Sequence, residues 1–168
     1  MLGMERENKK NVNLMTSHAK NLLKQKLSQA DSNFKKSQLA IGEAAGRESD
    51  WHDNAAFDYA NMQHDLDSVS LSNLISKLQN VEIISPRKKT EDVGIGNTVV
   101  VKFQDENMEE VFTILGPDDG GINPGWVSYL SPLGNSMIGK RVGETIEYTA
   151  GKEAPQKATI IKIMRGKF

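Results

Sequence analysis

The chain has 168 residues, no cysteine, and 21 basic against 22 acidic residues for a formal net charge of -1. That length suits one large domain or two small ones, and the missing thiols exclude disulfides, zinc ribbons and cysteine chemistry. No apolar run approaches the roughly 18 residues of a membrane span, and the first residues lack the apolar stretch of a secretory signal, so a cytoplasmic protein is expected.

Residues 1–13 are polar and rich in Asn, Lys and Glu, the composition of a flexible terminus. Thr16 or Ser17 is a suitable cap for the helix that follows. Leu23, Leu27, Ala30, Phe34 and Ile41 then recur at spacings of four, three, four and seven, one apolar face with coiled-coil character. Lys20, Lys24, Lys35 and Lys36 fall on the rest of that helix. They suit a solvated face, with contact to a phosphate backbone as the other reading. A second helical pattern runs through Ala55, Tyr59, Met62, Leu66, Val69, Leu74, Leu78 and Val81. Neither helix can bury its stripe alone, so an antiparallel hairpin over 14–84 is expected. At about thirty residues each, the arms reach ~45 Å, long enough to project from a compact domain.

Between the two patterns lies an acidic turn, Glu48-Ser-Asp-Trp-His-Asp-Asn-Ala-Ala-Phe-Asp58, with its tip near 48–53. From Glu43 to Asp67 there are seven acidic residues and one basic residue, Arg47. Asp50 and Asp53 are three apart and share a face if the backbone there is helical. Two readings stand side by side. The carboxylates cap the second helix and favour its positive end. Alternatively, inserted into a partner's site, they hold a hard cation such as Mg2+ and the water it activates. His52 has no Cys or second His nearby and reads as a surface residue, not a zinc ligand. Trp51 either packs across the hairpin end or offers a flat face to a partner or a base.

Ser85-Pro86 interrupts the helical pattern, and Arg87 to Asp92 is strongly charged, so 85–92 reads as a linker. From Val93 onward the pattern is that of short strands: Val99–Phe103, Val111–Leu115, Val127–Leu130, Thr145–Tyr148 and Ala158–Met164. Ser131-Pro132 starts a short helix, with Ser131 as cap and Pro132 at the first position. Residues 93–168 therefore form a compact α+β domain, and the whole chain is α+β in two domains. The Gly116 to Gly121 loop lacks the Lys-Ser/Thr of a phosphate loop.

Three stretches in series resemble the bacterial GreA/GreB transcript cleavage factors. The first is Arg47 to Phe57, similar to the family's Gly-Asp-hydrophobic-x-Glu-Asn-Ala-Glu-Tyr run. The second is Leu78-Gln-Asn-Val-Glu-Ile-Ile84. The third runs from Val93-Gly-Ile-Gly96 through Ser131-Pro-Leu-Gly134 to Ile138-Gly-Lys140 and Gly143-Glu144. The resemblance spans roughly Leu14 to Ile163. It implies a coiled-coil hairpin followed by a small FKBP-like domain that docks at the secondary channel of core RNA polymerase. It further implies that the tip enters the channel and acts on the 3' end of backtracked nascent RNA. By position Asp50 and Asp53 match the family's two tip acids, and Asn54 and Ala55 match directly; Trp51, His52 and Asn54 would be tip contacts. On this resemblance the chain is no enzyme and has no cofactor of its own. It lends Asp50 and Asp53 to a Mg2+ shared with the polymerase, whose own RNA cleavage it stimulates. A monomer without appreciable affinity for bare DNA is expected. The departures are Ser49 for Gly, Trp51 for Leu or Phe, Asp53 for Glu, Ala56 for a second Glu and Phe57 for Tyr. Proteins of this fold that occupy the channel without stimulating cleavage, or inhibit the polymerase, are the alternative. A coiled-coil adaptor with another protein target is the other.

Overall fold

The computed structural model describes residues 12–46, 55–104, 108–151 and 154–168. The chain divides into two compact units, one of Lys20–Asn80 and one of the flanking segments together, residues 1–19 and Val81–Phe168. The expected two-part α+β architecture is present. The division, however, falls at Asn80, not within 85–92.

The helical unit consists of α1 (Ser17–Gly46) and α2 (Ala55–Leu78). Ser37 lies against His64, and a groove between the helices is lined by Lys26 and Ala30 from one and Leu74 and Lys77 from the other. Numbers rise on α1 as they fall on α2, so the hairpin is antiparallel. The α1 stripe lies at the seam as expected: Leu23 and Ala30 are buried, and Leu27, Phe34 and Ile41 are half-buried. Buried Ser37 fills the gap in its spacing. The α2 stripe needs correction. Tyr59, Met62, Leu66 and Val69 are exposed, and the inward positions are Phe57, Ala60, His64, Asp67, Leu71, Leu74 and Leu78. The reason is register. Stepping back from Leu78 and Leu74 by threes and fours reaches Leu71, Asp67, His64 and Ala60, whereas the apolar series breaks by five between Val69 and Leu74. α2 ends at Leu78, and Asn80 just beyond it has a φ of 51°, a left-handed conformation that asparagine tolerates after a helix.

The other unit begins with a feature that short apolar runs do not announce. β1 (Asn13–Met15) pairs in parallel with β2 (Val81–Ile83), Leu14 opposite Glu82. Asn13 is therefore part of a strand, while residues 1–11 lie outside the described residues. Thr16 caps α1: its Oγ1 accepts from the Ala19 N–H at 3.1 Å and donates to Asp119. Asp119 is fully buried and also accepts from the backbone N–H groups of Thr16 (3.0 Å) and Gly116 (3.2 Å). Gly116 is required there, because a Cβ would fall 1.8 Å from the Leu14 carbonyl oxygen.

A five-stranded sheet follows in the order β5-β4-β3-β7-β6, made of β3 (Asn97–Phe103), β4 (Glu109–Leu115), β5 (Trp126–Ser128), β6 (Thr145–Tyr148) and β7 (Gln156–Arg165). Only the β4–β5 pair is parallel. The β3–β7 register shifts between Val100 and Val101, a bulge that curls the sheet. The expected cap of α3 (Pro132–Met137) is present, with Ser131 Oγ accepting from the Gly134 N–H at 3.1 Å. Met137 joins Val99, Val101, Ile114, Ile146 and Ile160 in the core.

Residues 85–92 do not form a free linker. Arg87 donates to the Asp92 carboxylate (3.0 Å) and to Asn97 Oδ1 (3.1 Å). Asn97 is fully buried and donates to the carbonyls of Lys89 (2.9 Å) and Met164 (3.0 Å). The charged run is thus spent on pinning the segment to the sheet.

Two outcomes follow. Asp119→Ala strands two buried N–H groups and a hydroxyl and is expected to cost about 2–4 kcal/mol in urea denaturation. Lys89 and Arg87 lower the Asp92 pKa to about 2. Its contribution is therefore fully present above the ordinary carboxylate range and is lost as pH falls through about 2. Carboxyl NMR should show a depressed Asp92 midpoint that Lys89→Met moves upward.

Candidate functional site

The sequence points to the turn between the helices. α1 ends at Gly46 and α2 begins at Ala55, so the turn joins two antiparallel helices as expected. Asp50, Trp51, His52, Asp53 and Asn54 themselves lie outside the described residues. Asp58 sits in the first turn of α2, where a carboxylate is favoured by the helix dipole. Among the described residues, no group of three His, Asp or Glu side chains is arranged to hold a metal. Asp50 and Asp53 offer hard oxygen donors, the chemistry Mg2+ takes, and two carboxylates suffice for an ion that keeps most of its waters.

The middle of the seam is polar, which the spacing of apolar residues did not reveal. Ser37 Oγ donates to the Phe34 carbonyl at 3.0 Å. The same hydroxyl oxygen lies 3.3 Å from His64 Nδ1, within hydrogen-bond distance. The His64 ring lies over Phe34, with centroids 4.6 Å apart and planes 30° apart. Asp67 accepts from Gln63 Nε2 at 3.2 Å on the same helix. The signal that would have found these residues is the strict three-four continuation from Leu78, read regardless of polarity.

The two helices differ in charge. α1 exposes Lys24, Lys26, Lys35 and Lys36; Lys35 pairs with Asp31 one turn earlier at 2.7 Å. α2 exposes Asp58 and Asp65. No described helix is long and apolar enough to cross a membrane.

Comparison with known proteins agrees with the resemblance in the sequence. A family model described as the C-terminal part of the transcription elongation factors GreA/GreB matches residues 88–165. The chain is 30% identical over 141 residues to the transcription elongation factor GreA of Chlorobium phaeobacteroides, covering 82% of this chain and 88% of that one. The chain belongs to the GreA/GreB family. The GreA of Magnetococcus marinus is 28% identical, covering 81% and 87%. Among solved structures, Gfh1 (GreA factor homolog 1) of Thermus thermophilus is similar with a TM-score of 0.42 at 18% identity, covering 90% of this chain and 98% of that one.

In this member of the GreA/GreB family the polar seam carries a testable cost. Replacing both partners removes buried polar groups without leaving either unsatisfied. Ser37→Ala combined with His64→Leu is therefore expected to raise the thermal midpoint of the helical unit. Ser37→Ala alone, which leaves His64 Nδ1 without its hydrogen-bond partner, should lower it, as followed by circular dichroism.

Proposed function

We propose that this protein regulates transcript elongation by binding RNA polymerase at the secondary channel, with the hairpin turn directed to the active centre. The observation that carries this reading is the 30% identity to a GreA over 82% of the chain. It is supported by the antiparallel helices, which bracket an acidic turn of the expected length. The sheet domain would serve as the dock and the hairpin as the occupant of the channel.

Occupancy of the channel is the core of the reading; cleavage of backtracked RNA is its finer form. The finer form rests on Asp50 and Asp53, which match the family's two tip acids. They would hold Mg2+ jointly with the polymerase's own carboxylates. Bound there, the ion would lower the pKa of a water and offset charge on the scissile phosphate. What this chain itself contributes is a pair of oxygen donors, presented at the end of two helices. Asp53 is one methylene shorter than the family's usual Glu, and Ala56 replaces a second acid. Both departures weaken the donor set without touching the dock, and so favour occupancy over cleavage.

The test uses the full chain with core polymerase and a stalled, backtracked complex. Binding is expected, in competition with a GreA for the same site. Asp50→Asn and Asp53→Asn keep a helix-capping side chain and remove the charge, so both should bind and melt like wild type. Cleavage that appears with wild type across a Mg2+ titration and falls sharply in both variants establishes the finer form. Absence of cleavage with intact binding leaves channel occupancy as the function. Failure to bind polymerase at all, under gentle conditions, contradicts the proposal and favours a coiled-coil adaptor for another target.

A further inference from the structure

α2 is inverted over its middle turns. At three successive levels the seam residue is small or polar and the residue two positions on is apolar: Ala60 then Met62, His64 then Leu66, Asp67 then Val69; nearer the turn the half-buried Phe57 takes the seam position. Two positions correspond to roughly 200° around the helix, so the apolar residues point away from α1. Tyr59, Met62, Leu66 and Val69 are 64, 54, 59 and 59% exposed. Their spacing of three, four and three puts them on one face as a continuous stripe ~15 Å long. Asp58 and Asp65 flank it on one side, each next to a stripe residue in sequence. Single exposed apolar side chains are ordinary; a contiguous stripe beside a polar interior marks an interaction surface.

Charge selects the occupant. A second copy docking stripe to stripe would bring Asp58 and Asp65 of one chain beside the same acids of the other. α1 of a second copy offers one exposed apolar residue on its middle turns, Leu39, which cannot cover four. An anionic lipid surface is repelled by the flanking acids. We propose that the α2 stripe is a docking surface for a protein partner presenting apolar side chains flanked by lysine or arginine. This deepens the function proposed above and rests on it, with RNA polymerase as the partner to be probed. The polar seam fits the same scheme: apolar side chains that a free hairpin would turn inward are held outward for the partner.

The experiment compares two surface variants of the full chain with wild type in binding to core RNA polymerase. Leu66→Gln with Val69→Gln removes half of the stripe. Asp58→Lys with Asp65→Lys reverses the flank. Circular dichroism should show a folded hairpin for both, with the flank variant melting slightly lower because Asp58→Lys reverses a favourable charge in the first turn of α2. The stripe variant is expected to bind at least ten-fold more weakly. The flank variant should bind several-fold more weakly at low salt, with the difference closing as salt is raised. Wild-type affinity in the stripe variant overturns this proposal and leaves the function reading intact. A wild-type dimer by sedimentation that the stripe variant dissolves assigns the stripe to a second copy and also overturns it. No binding of wild type to polymerase overturns both.

Discussion

A buried carboxylate without a cation must be surrounded by donors, and Asp119 meets that demand at the base of α1. Its donors are the Thr16 amide, the Thr16 hydroxyl and the Gly116 amide. The same Thr16 hydroxyl oxygen accepts the Ala19 amide and so caps the helix. The start of α1 is thereby specified to a single residue by long-range contacts, not by helix propensity. Parallel pairing of β1 with β2 adds a second constraint. The chain that leaves into α1 and the chain that returns from α2 are hydrogen-bonded neighbours, so the intervening helices close into a hairpin.

Within the hairpin, seam and surface exchange their usual roles over the middle turns. Leu71, Leu74 and Leu78 with Leu23 and Leu27 supply an apolar seam at the end opposite the turn. Along its middle turns the seam becomes Ser37, His64 and Asp67, and apolar side chains of α2 face outward, before Ile41, Phe57 and Ala60 take the seam next to the turn. Hydrophobic burial therefore holds the two ends of the hairpin, while a hydrogen bond and the Phe34–His64 ring contact hold its middle.

How much was legible in the sequence follows from how local each signal is. The α1 stripe and the Ser131-Pro132 cap depend on neighbours within a turn or two, and the strands on alternation; these appear at the expected places, except that the strand expected over Val127–Leu130 is Trp126–Ser128, with Tyr129 and Leu130 in a turn. The α2 register was misread because apolarity was weighted over strict spacing, and His64 and Asp67 are polar residues at seam positions. The β1–β2 pair was invisible because two three-residue strands far apart in the chain have no periodicity of their own. The charged run 87–92 looked like a linker because nothing local says that Asn97 and Met164 will receive it. The tip carboxylates Asp50 and Asp53 rest on composition and family resemblance, which supply residue types and order, and they lie outside the described residues.

The central claim is that the turn between α1 and α2 works at the polymerase active centre. Replacing Trp51 with a photoreactive amino acid in the full chain, then irradiating the complex with core RNA polymerase, tests it most directly. The account predicts crosslinks to polymerase segments that line the inner end of the secondary channel and surround the catalytic metal. Crosslinks confined to the outer surface of the polymerase, or to another protein in preference to it, would contradict it.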